Sequence, residues 1–566
     1  MLPSTPSCTT PCHVKKSLGW TKRHAKRCLD SLNYDGMNDR QSTIKPRHNQ
    51  TFDWIFKDID AGRSSDMLQA GQYPQSSGNL GLSEEVQGSD NQSASGHVHD
   101  ADRKSPLSGQ EGAFIRCLRA DARRLFWISG KPGSGKSTLM KLIRYDQRTA
   151  NALEKWRPKP RIISHFLWKA GSQSQNSFRG LLCSLLHQVL HNDQHLIAQF
   201  IGENRGLTYK NSETDWSLEE LKVLLFKGIR NADRGYLVLL DALDEVDRRD
   251  EGLDQLLNFV HELEAESQVK LCVSSRAERP FDLRFDNESR PRLRMEHLTY
   301  QDIKNYTHDF LKNTGLDSPD LLQKISEEIL WKVEGVFIWV YLVLADVKLG
   351  ITNFAEDWDE IYQRITIFQP DLMKLYRDMW HRLDGRREVH VARAAKYFSL
   401  VRMLLTYGRF RSHCCVLTLA IASDDAILGV FSASNELPLL PEVLQRCEHI
   451  QKTLSPTCAG LLEMEDGWGA VVEGATDQQR LAAWDEVRIR FTHKTALEFL
   501  DSDEGQALFQ SFAPDSEETV FRCVKAVLII QFLHGAGNRA FTQVADSMWQ
   551  LKESCEQLKE GFQPSV

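Results

Sequence analysis

Three features of the 566-residue sequence predict an α/β fold: a doubly wound parallel sheet around a phosphate-binding loop, followed by helical and winged-helix-like domains. The first is LFWISGKPGSGKSTLMKLI, residues 125–143, where an apolar run enters a glycine-rich turn and continues as a helix. The second is a set of nearly all-apolar runs, RIISHFLW, YLVLL and KLCVS, separated by segments of helical spacing. Strands buried on both faces read this way, and their alternation with helices marks a parallel sheet. The third is the end of strand signals after Leu298, where helical segments follow one another up to a late pair of short strands.

Composition narrows the class. A hydrophobic content of 41% and a charged content of 26% are ordinary for a soluble globular protein of several domains. The net charge of −7 gives no overall electrostatic case for nucleic acid or a membrane surface. The longest apolar run, 336–345, falls short of the ~20 residues that a bilayer span needs. Twelve cysteines without a C-x-x-C pair read as reduced, mostly buried intracellular thiols, so the expected location is cytoplasmic.

Residues 1–60 read as a tail and helical lead-in. Its basic segment, with Lys15, Lys16, Lys22, Arg23, Lys26 and Arg27, suits a solvated helix face or a tail. Residues 28–56 suggest an amphipathic helical stretch packing Leu29, Leu32, Ile44, Phe52, Trp54, Ile55 and Phe56. Residues 61–111, rich in Ser, Gly, Gln and Asp, are expected to be a disordered linker. The α/β domain then spans 112–298, with a helix at 113–118, strands at 125–128, 161–168, 236–240 and 269–274, and helices at 136–145, 177–190, 217–229 and 253–264. A helical domain over 299–368 would hold helices at 301–314 and 321–345. A winged-helix-like domain over 369–505 would hold helices at 370–383, 392–406 and 415–422, a longer loop around Pro438 and Pro441, and strands at 460–464 and 487–491. Residues 506–566 read as a C-terminal helical segment, and no repeat of fixed period is present.

The turn after the first strand fits G-x-x-x-x-G-K-[ST] at Gly130, Gly135, Lys136 and Ser137, between the strand and helix that this motif requires. The stretch Gly130, Lys131, Pro132, Gly133, Ser134, Gly135, Lys136, Ser137 and Thr138 is therefore the expected contact set for a nucleoside triphosphate. Glycines let backbone N–H groups curl into an anion-binding nest, and the new helix points its positive end there. Lys136 would reach the β- and γ-phosphates, and the Ser137 hydroxyl suits Mg²⁺. In YLVLLDALDEVD, Asp241 ends a buried strand, where a carboxylate can hold the same Mg²⁺. Asp244 and Glu245 follow, placed to orient or deprotonate an attacking water. In KLCVSSRAERPF, Arg276 ends a neighbouring strand, from which a guanidinium could touch the γ-phosphate.

The acidic pattern DALDE resembles the NACHT class of signal-transduction NTPases, the STAND group. Together with TFDWIF (51–56), the phosphate loop, LCVSSR, EGVFIWV (334–340) and FTHKTALEFL (491–500), it is similar to the fungal NACHT proteins called nephrocystin-like, over about residues 28–500. The resemblance implies a P-loop NTPase domain, a small helical domain, and a winged-helix domain that closes over ADP at rest. It also implies a role for His493: Phe491, His493 and Thr495 match an F-x-H-x-[ST] motif whose histidine touches the β-phosphate of ADP. Glu334, Gly335, Val336 and Phe337 stand where wider relatives place an adenine-packing proline, so adenine contacts are unassigned. The short flanks outside the matching part would suit a minimal or truncated form related to NOD-like receptors.

The expectation is thus an ATP/ADP-dependent conformational switch with slow ATPase turnover and Mg²⁺, acting in fungal innate-like immunity or programmed cell death. Its partners would be the nucleotide and other proteins, or copies of itself on activation, with no membrane span and no nucleic acid. The alternatives are a P-loop motor of another class, which would turn over fast with a trans arginine, and a non-catalytic nucleotide-bound scaffold.

Overall fold

The computed structural model describes residues 12–57 and 112–535, apart from breaks at 122–123, 170, 192, 249–251, 287–290, 316–317, 355, 385–387, 407, 435–437, 466–474 and 510–511. The expected linker at 61–111 lies outside the described residues, as does the end of the C-terminal segment at 536–566.

Five strands, β1 (Leu125–Ser129), β2 (Arg161–Phe166), β3 (Tyr236–Asp241), β4 (Val269–Ser275) and β5 (Arg292–Arg294), form one parallel sheet in the order β2-β3-β4-β1-β5. Alternation along each strand feeds two cores. Leu125 and Trp127 join Tyr236, Val238, Leu240, Leu271 and Val273 on one face. Phe126, Ile128, Leu237, Leu239 and Cys272 point to the other. This explains why the strands read as continuous apolar runs: both faces are covered. β5 escaped the sequence reading because it is a short edge strand carrying two arginines around a single buried Leu293.

The order puts β4 between β1 and β3, with Ser129 level with Ser275 and Leu240 level with Val273. Three strands therefore end side by side at one edge, and the loop, the acid and the arginine all leave from that edge. The helix Lys136–Tyr145 starts there and buries Leu139, Met140 and Ile143. The helices Phe178–Leu190, Leu218–Asn231 and Gly252–Ala265 follow as expected, while Gln147–Glu154 and Gln194–Glu203 are additional.

Two helical expectations need correction. Residues 28–56 are not one helical stretch: the helix is Cys12–Leu32, followed by a single turn Asp39–Thr43 and a 3₁₀ turn Asp53–Phe56. Gly36 at φ +75° and Phe52 at φ +68° take left-handed backbone that a helix cannot continue through. Its exposed side chains include Lys22, Arg23, Lys26 and Arg27, a solvated face. Likewise 321–345 divides into Pro319–Lys332 and Phe337–Leu349, because Glu334 (φ +44°) and Gly335 (φ +77°) turn the chain. A Cβ on Gly335 would lie 2.7 Å from the Glu296 Cα, so only glycine allows that approach.

Beyond the sheet, one continuous apolar core runs from Ile303 to Ile530. The expected loop around Pro438 and Pro441 is instead mostly helix: Asp425–Ser434 precedes it, and Pro441 sits in the first turn of Leu440–Thr457, where its fixed φ is favourable. The two short strands are β6 (Leu462–Met464) and β7 (Ile489–Phe491), paired antiparallel, with the helix Asp477–Glu486 between them. Helices Lys494–Asp501 and Ser516–Leu533 follow. Cys28, Cys117, Cys183, Cys272, Cys414, Cys415, Cys447, Cys458 and Cys523 are buried thiols that form no disulfide among the described residues. Among the described residues no helix is long and apolar enough to cross a membrane.

Candidate nucleotide site

A cavity of about 1010 Å³ opens at the carboxyl edge of the sheet. Its walls come from the N-terminal segment, the glycine loop, the β3 end, the helix Phe337–Leu349 and the segment around β7. Pro132, Gly133, Ser134, Gly135, Lys136, Ser137 and Thr138 line it, while Gly130 and Lys131 form the base of the same turn. Gly133 and Gly135 sit at φ +72° and +93°. Both glycines also answer a contact. A Cβ on Gly133 would fall 2.1 Å from Ile338, whose N–H donates to the Gly133 carbonyl at 3.1 Å. A Cβ on Gly135 would fall 2.8 Å from the Phe52 ring. The phrases EGVFIWV and TFDWIF thus both close on the loop. Asp302 fixes the second by accepting from the Phe52 N–H at 3.0 Å and the Trp54 Nε1–H at 2.8 Å.

Lys136 turns back over the loop, and its Nζ donates to the carbonyls of Gly130 (2.8 Å) and Lys131 (2.9 Å). Burial lowers its pKa to about 8, with Asp244 opposing that shift and Lys494 reinforcing it. Asp241 is fully buried and accepts from the Ser137 and Ser274 hydroxyls. Burial raises its pKa, and those two hydrogen bonds work the other way. The adjoining Ser137 hydroxyl and Asp241 carboxylate are hard oxygen donors, the chemistry that Mg²⁺ selects. Ala242 then takes φ +57° and donates its N–H to Ser274 Oγ at 2.9 Å, which swings the next acids toward the cavity.

Those acids are not free. Asp244 and Glu245 are each only 3% exposed at the side chain. Arg276 grips Asp244, with Nε 3.0 Å from Oδ2 and its backbone N–H donating to Oδ1 at 3.0 Å. The Arg276 Nη2 also pairs with Glu498. Lys494 pairs with Glu245 and lies 3.5 Å from Asp244 Oδ2, while the Lys169 N–H donates to Glu245 Oε2 at 2.9 Å. Burial would raise the Asp244 pKa, but Lys494, Lys136 and Arg276 together hold it below the ordinary value. Arg276, the residue expected to touch a γ-phosphate, is here held between two carboxylates.

His493 is the N-cap of the helix Lys494–Asp501 and stands against the same cavity. Its Nδ1 accepts from the Thr495 N–H at 3.2 Å and lies 2.8 Å from Thr495 Oγ1, which in turn meets the Tyr376 hydroxyl at 2.7 Å. Burial, followed by the nearby charges of Lys494, Arg40, Lys136 and Arg276, pushes its pKa well below the ordinary value. A neutral ring that accepts at Nδ1 carries its proton on Nε2. Thr495 of the F-x-H-x-T motif therefore sets the tautomer.

The structure gathers Lys136, Ser137, Asp241, Asp244, Glu245, Arg276 and His493 at one place. Sequence reasoning missed Lys494, Glu498 and Ser274. Lys494 and Glu498 stand four residues apart on one helix face, directly after His493. That spacing is visible in the sequence but names no partner.

Residues 110–276 match the family described as Nephrocystin 3, N-terminal, and residues 388–539 match a Domain of unknown function (DUF7791). The vegetative incompatibility protein HET-E-1 of Podospora anserina is 27% identical over 270 residues, which cover 43% of this chain and 19% of that protein. The chain thus spans about a fifth of the length of the curated relative it matches. Among solved structures, the Orc1 protein of Aeropyrum pernix in complex with DNA is similar over 69% of this chain and 90% of its own, at 14% identity and a TM-score of 0.30. Cdc6p from Pyrobaculum aerophilum covers 69% and 87%, at 12% identity and a TM-score of 0.28.

Proposed function

We propose that this chain, a NACHT-like P-loop NTPase through residues 110–276, works as an ATP/ADP-dependent conformational switch. One observation carries the reading. The segment His493–Asp501, distant in sequence from the sheet, lays a histidine, a lysine and a carboxylate across the loop's own acids and arginine. An enzyme built for fast turnover keeps its water-positioning carboxylate available, whereas here Lys494 pairs with Glu245 and Glu498 pairs with Arg276. That arrangement suits a resting form that retains its nucleotide.

In this reading the loop N–H groups and Lys136 hold the phosphates, and the cavity's Phe52, Tyr306, Phe337 and Ile338 offer an apolar surface for the base. Mg²⁺, when bound between Ser137 and Asp241, would neutralise phosphate charge. His493, with its proton on Nε2, donates to a phosphate oxygen of ADP and helps keep the segment closed. A γ-phosphate would compete with Glu498 for Arg276 and with Glu245 for Lys494. Binding ATP in place of ADP thereby favours release of the segment, since each ligand shifts the equilibrium toward the form it contacts better. Release returns Glu245 to the role of orienting water, so hydrolysis waits on release, turnover is slow, and the ADP it forms resets the switch. A role in immunity or cell death would lie in what the released segment meets.

Nucleotide exchange tests this. Full-length protein loaded with fluorescent ADP should release it slowly, and Lys494→Ala should release it at least about tenfold faster, the worth of ~1.4 kcal/mol. Equal release rates would remove the switch reading. Mass spectrometry of the nucleotide that co-purifies with the wild type should find ADP.

A further inference from the structure

Arg40 comes from the single-turn helix Asp39–Thr43, outside the family-matched segment, yet it lines the same cavity as Lys136, Ser137 and His493. Its charge reaches Asp241 and His493, which places the guanidinium beside the groups at the phosphate end. Its Nε is buried and has no hydrogen-bond partner among the described residues. A buried guanidinium nitrogen left unpaired is costly, which suits Arg40 to an anionic ligand in the cavity it lines.

The other cations around the cavity sharpen the point. Arg276 is held by Asp244 and Glu498, and Lys494 by Glu245. Arg490 pairs with Glu463 and Glu465, Lys45 with Glu463, and Arg47 with Asp53. Lys136 has only backbone carbonyls. Arg411 and Arg488 line the cavity too without an ion pair among the described residues, donating instead to Gln175 Oε1 at 2.7 Å and to the Ser412 carbonyl. Lys136 and Arg40 likewise have no ion pair among the described residues, and these two are the cations whose charges reach both Asp241 and His493. An anion placed between them would satisfy both.

We propose that Arg40 is a phosphate ligand of the bound nucleotide, supplied by the N-terminal segment and contacting a phosphate beyond the α position. This rests on the reading of the cavity as a nucleotide pocket. A guanidinium suits the task because it stays charged and offers a fixed fork of donors to phosphate oxygens. The turn that carries it is pinned from two sides. Arg490 of β7 donates to the Thr43 carbonyl at 2.9 Å, and Lys141 of the helix after the loop donates to the Ile44 carbonyl at 2.5 Å. The contact would let the N-terminal segment register whether the site is filled.

The experiment titrates full-length wild type, Arg40→Gln, Arg40→Lys and Lys136→Ala with fluorescent derivatives of ADP and AMP. Arg40→Gln should weaken ADP about tenfold while changing AMP less than about twofold, and Arg40→Lys should recover part of the loss because it keeps the charge without the fork. If Lys136→Ala weakens ADP while Arg40→Gln binds like wild type, Arg40 is not a ligand. Equal losses of ADP and AMP in Arg40→Gln would likewise overturn the proposal, since they mark a merely structural role. Should Arg40→Gln fail to fold, the ADP-to-AMP ratio of Arg40→Lys decides, and an unchanged ratio overturns it. If Lys136→Ala binds ADP like wild type, the nucleotide-pocket reading itself falls.

Discussion

The two halves of the site are built by different rules. The half on the sheet comes from short contiguous units: a strand, its turn, and the first residues that follow. Ser137, Asp241 and Arg276 are adjacent in space because β1, β3 and β4 end at one edge with matched register. The other half comes from a single helix of the C-terminal region, and its charges matter only through what they meet. Local geometry thus makes a place for phosphates, while long-range ion pairs decide whether the chemistry around that place is available. The first kind tolerates little change anywhere along its backbone. The second can be undone by one side chain.

The largest expected effect comes from undoing it. Lys494→Ala would leave Glu245 and Asp244, each 3% exposed, with a buried charge less well compensated. Breaking a buried pair from one side costs about 3–5 kcal/mol, and the 16% exposure of Lys494 argues for the lower end, ~3 kcal/mol. Chemical denaturation would measure the loss. A double-mutant cycle with Glu245→Gln should recover much of it, because removing both charges leaves neither unpaired. Additive losses would mean that the two halves are not coupled through this pair.

Acid should act on the same coupling, with an intermediate effect. Burial lowers the pKa of His165 to about 4 and pushes that of His493 well below the usual 6.5. Between the depressed folded value and ~6.5 the unfolded chain binds more protons, so stability is full above ~6.5 and falls with pH below it. For His165 alone the loss at pH 5 is about 2 kcal/mol, from 1.36 kcal/mol per pH unit. His493→Gln should flatten part of this acid limb and leave the neutral-pH plateau nearly unchanged. An acid limb identical in wild type and variant would sever His493 from the closed form.

The same division sets what could be read from the sequence. Gly130 to Thr138 declared themselves because the strand, the loop and the helix they need lie within one window. Asp241 and Arg276 followed from ending apolar runs, and those runs were legible because the sheet is covered on both faces. β5 was not, since an edge strand can carry Arg292 and Arg294 without burying either fully. Phe52 and Gly335 broke expected helices through left-handed backbone imposed by contacts with the loop and with Glu296, which helical periodicity cannot register. Lys494, Glu498 and Arg40 are ordinary charges on an amphipathic helix and a polar turn until their surroundings are known. His493 was found only through a motif, and Thr495 supplies the physical reason for it.

The smallest effect should come from an ion pair that joins the loop to the helical region at the surface. Lys131 and Glu334 meet at 2.6 Å but remain 46% and 57% exposed. Exposed pairs contribute roughly 0–1 kcal/mol and weaken with salt, so Glu334→Ala should change denaturation by less than ~1 kcal/mol. Its backbone matters more than its charge: at φ +44° it is one of the few non-glycine residues in the left-handed region. Glu334→Gly should therefore equal or exceed wild-type stability despite losing the pair. If Glu334→Ala instead cost as much as Lys494→Ala, surface charge rather than the buried clasp would hold the halves together, and the contrast between them would fail.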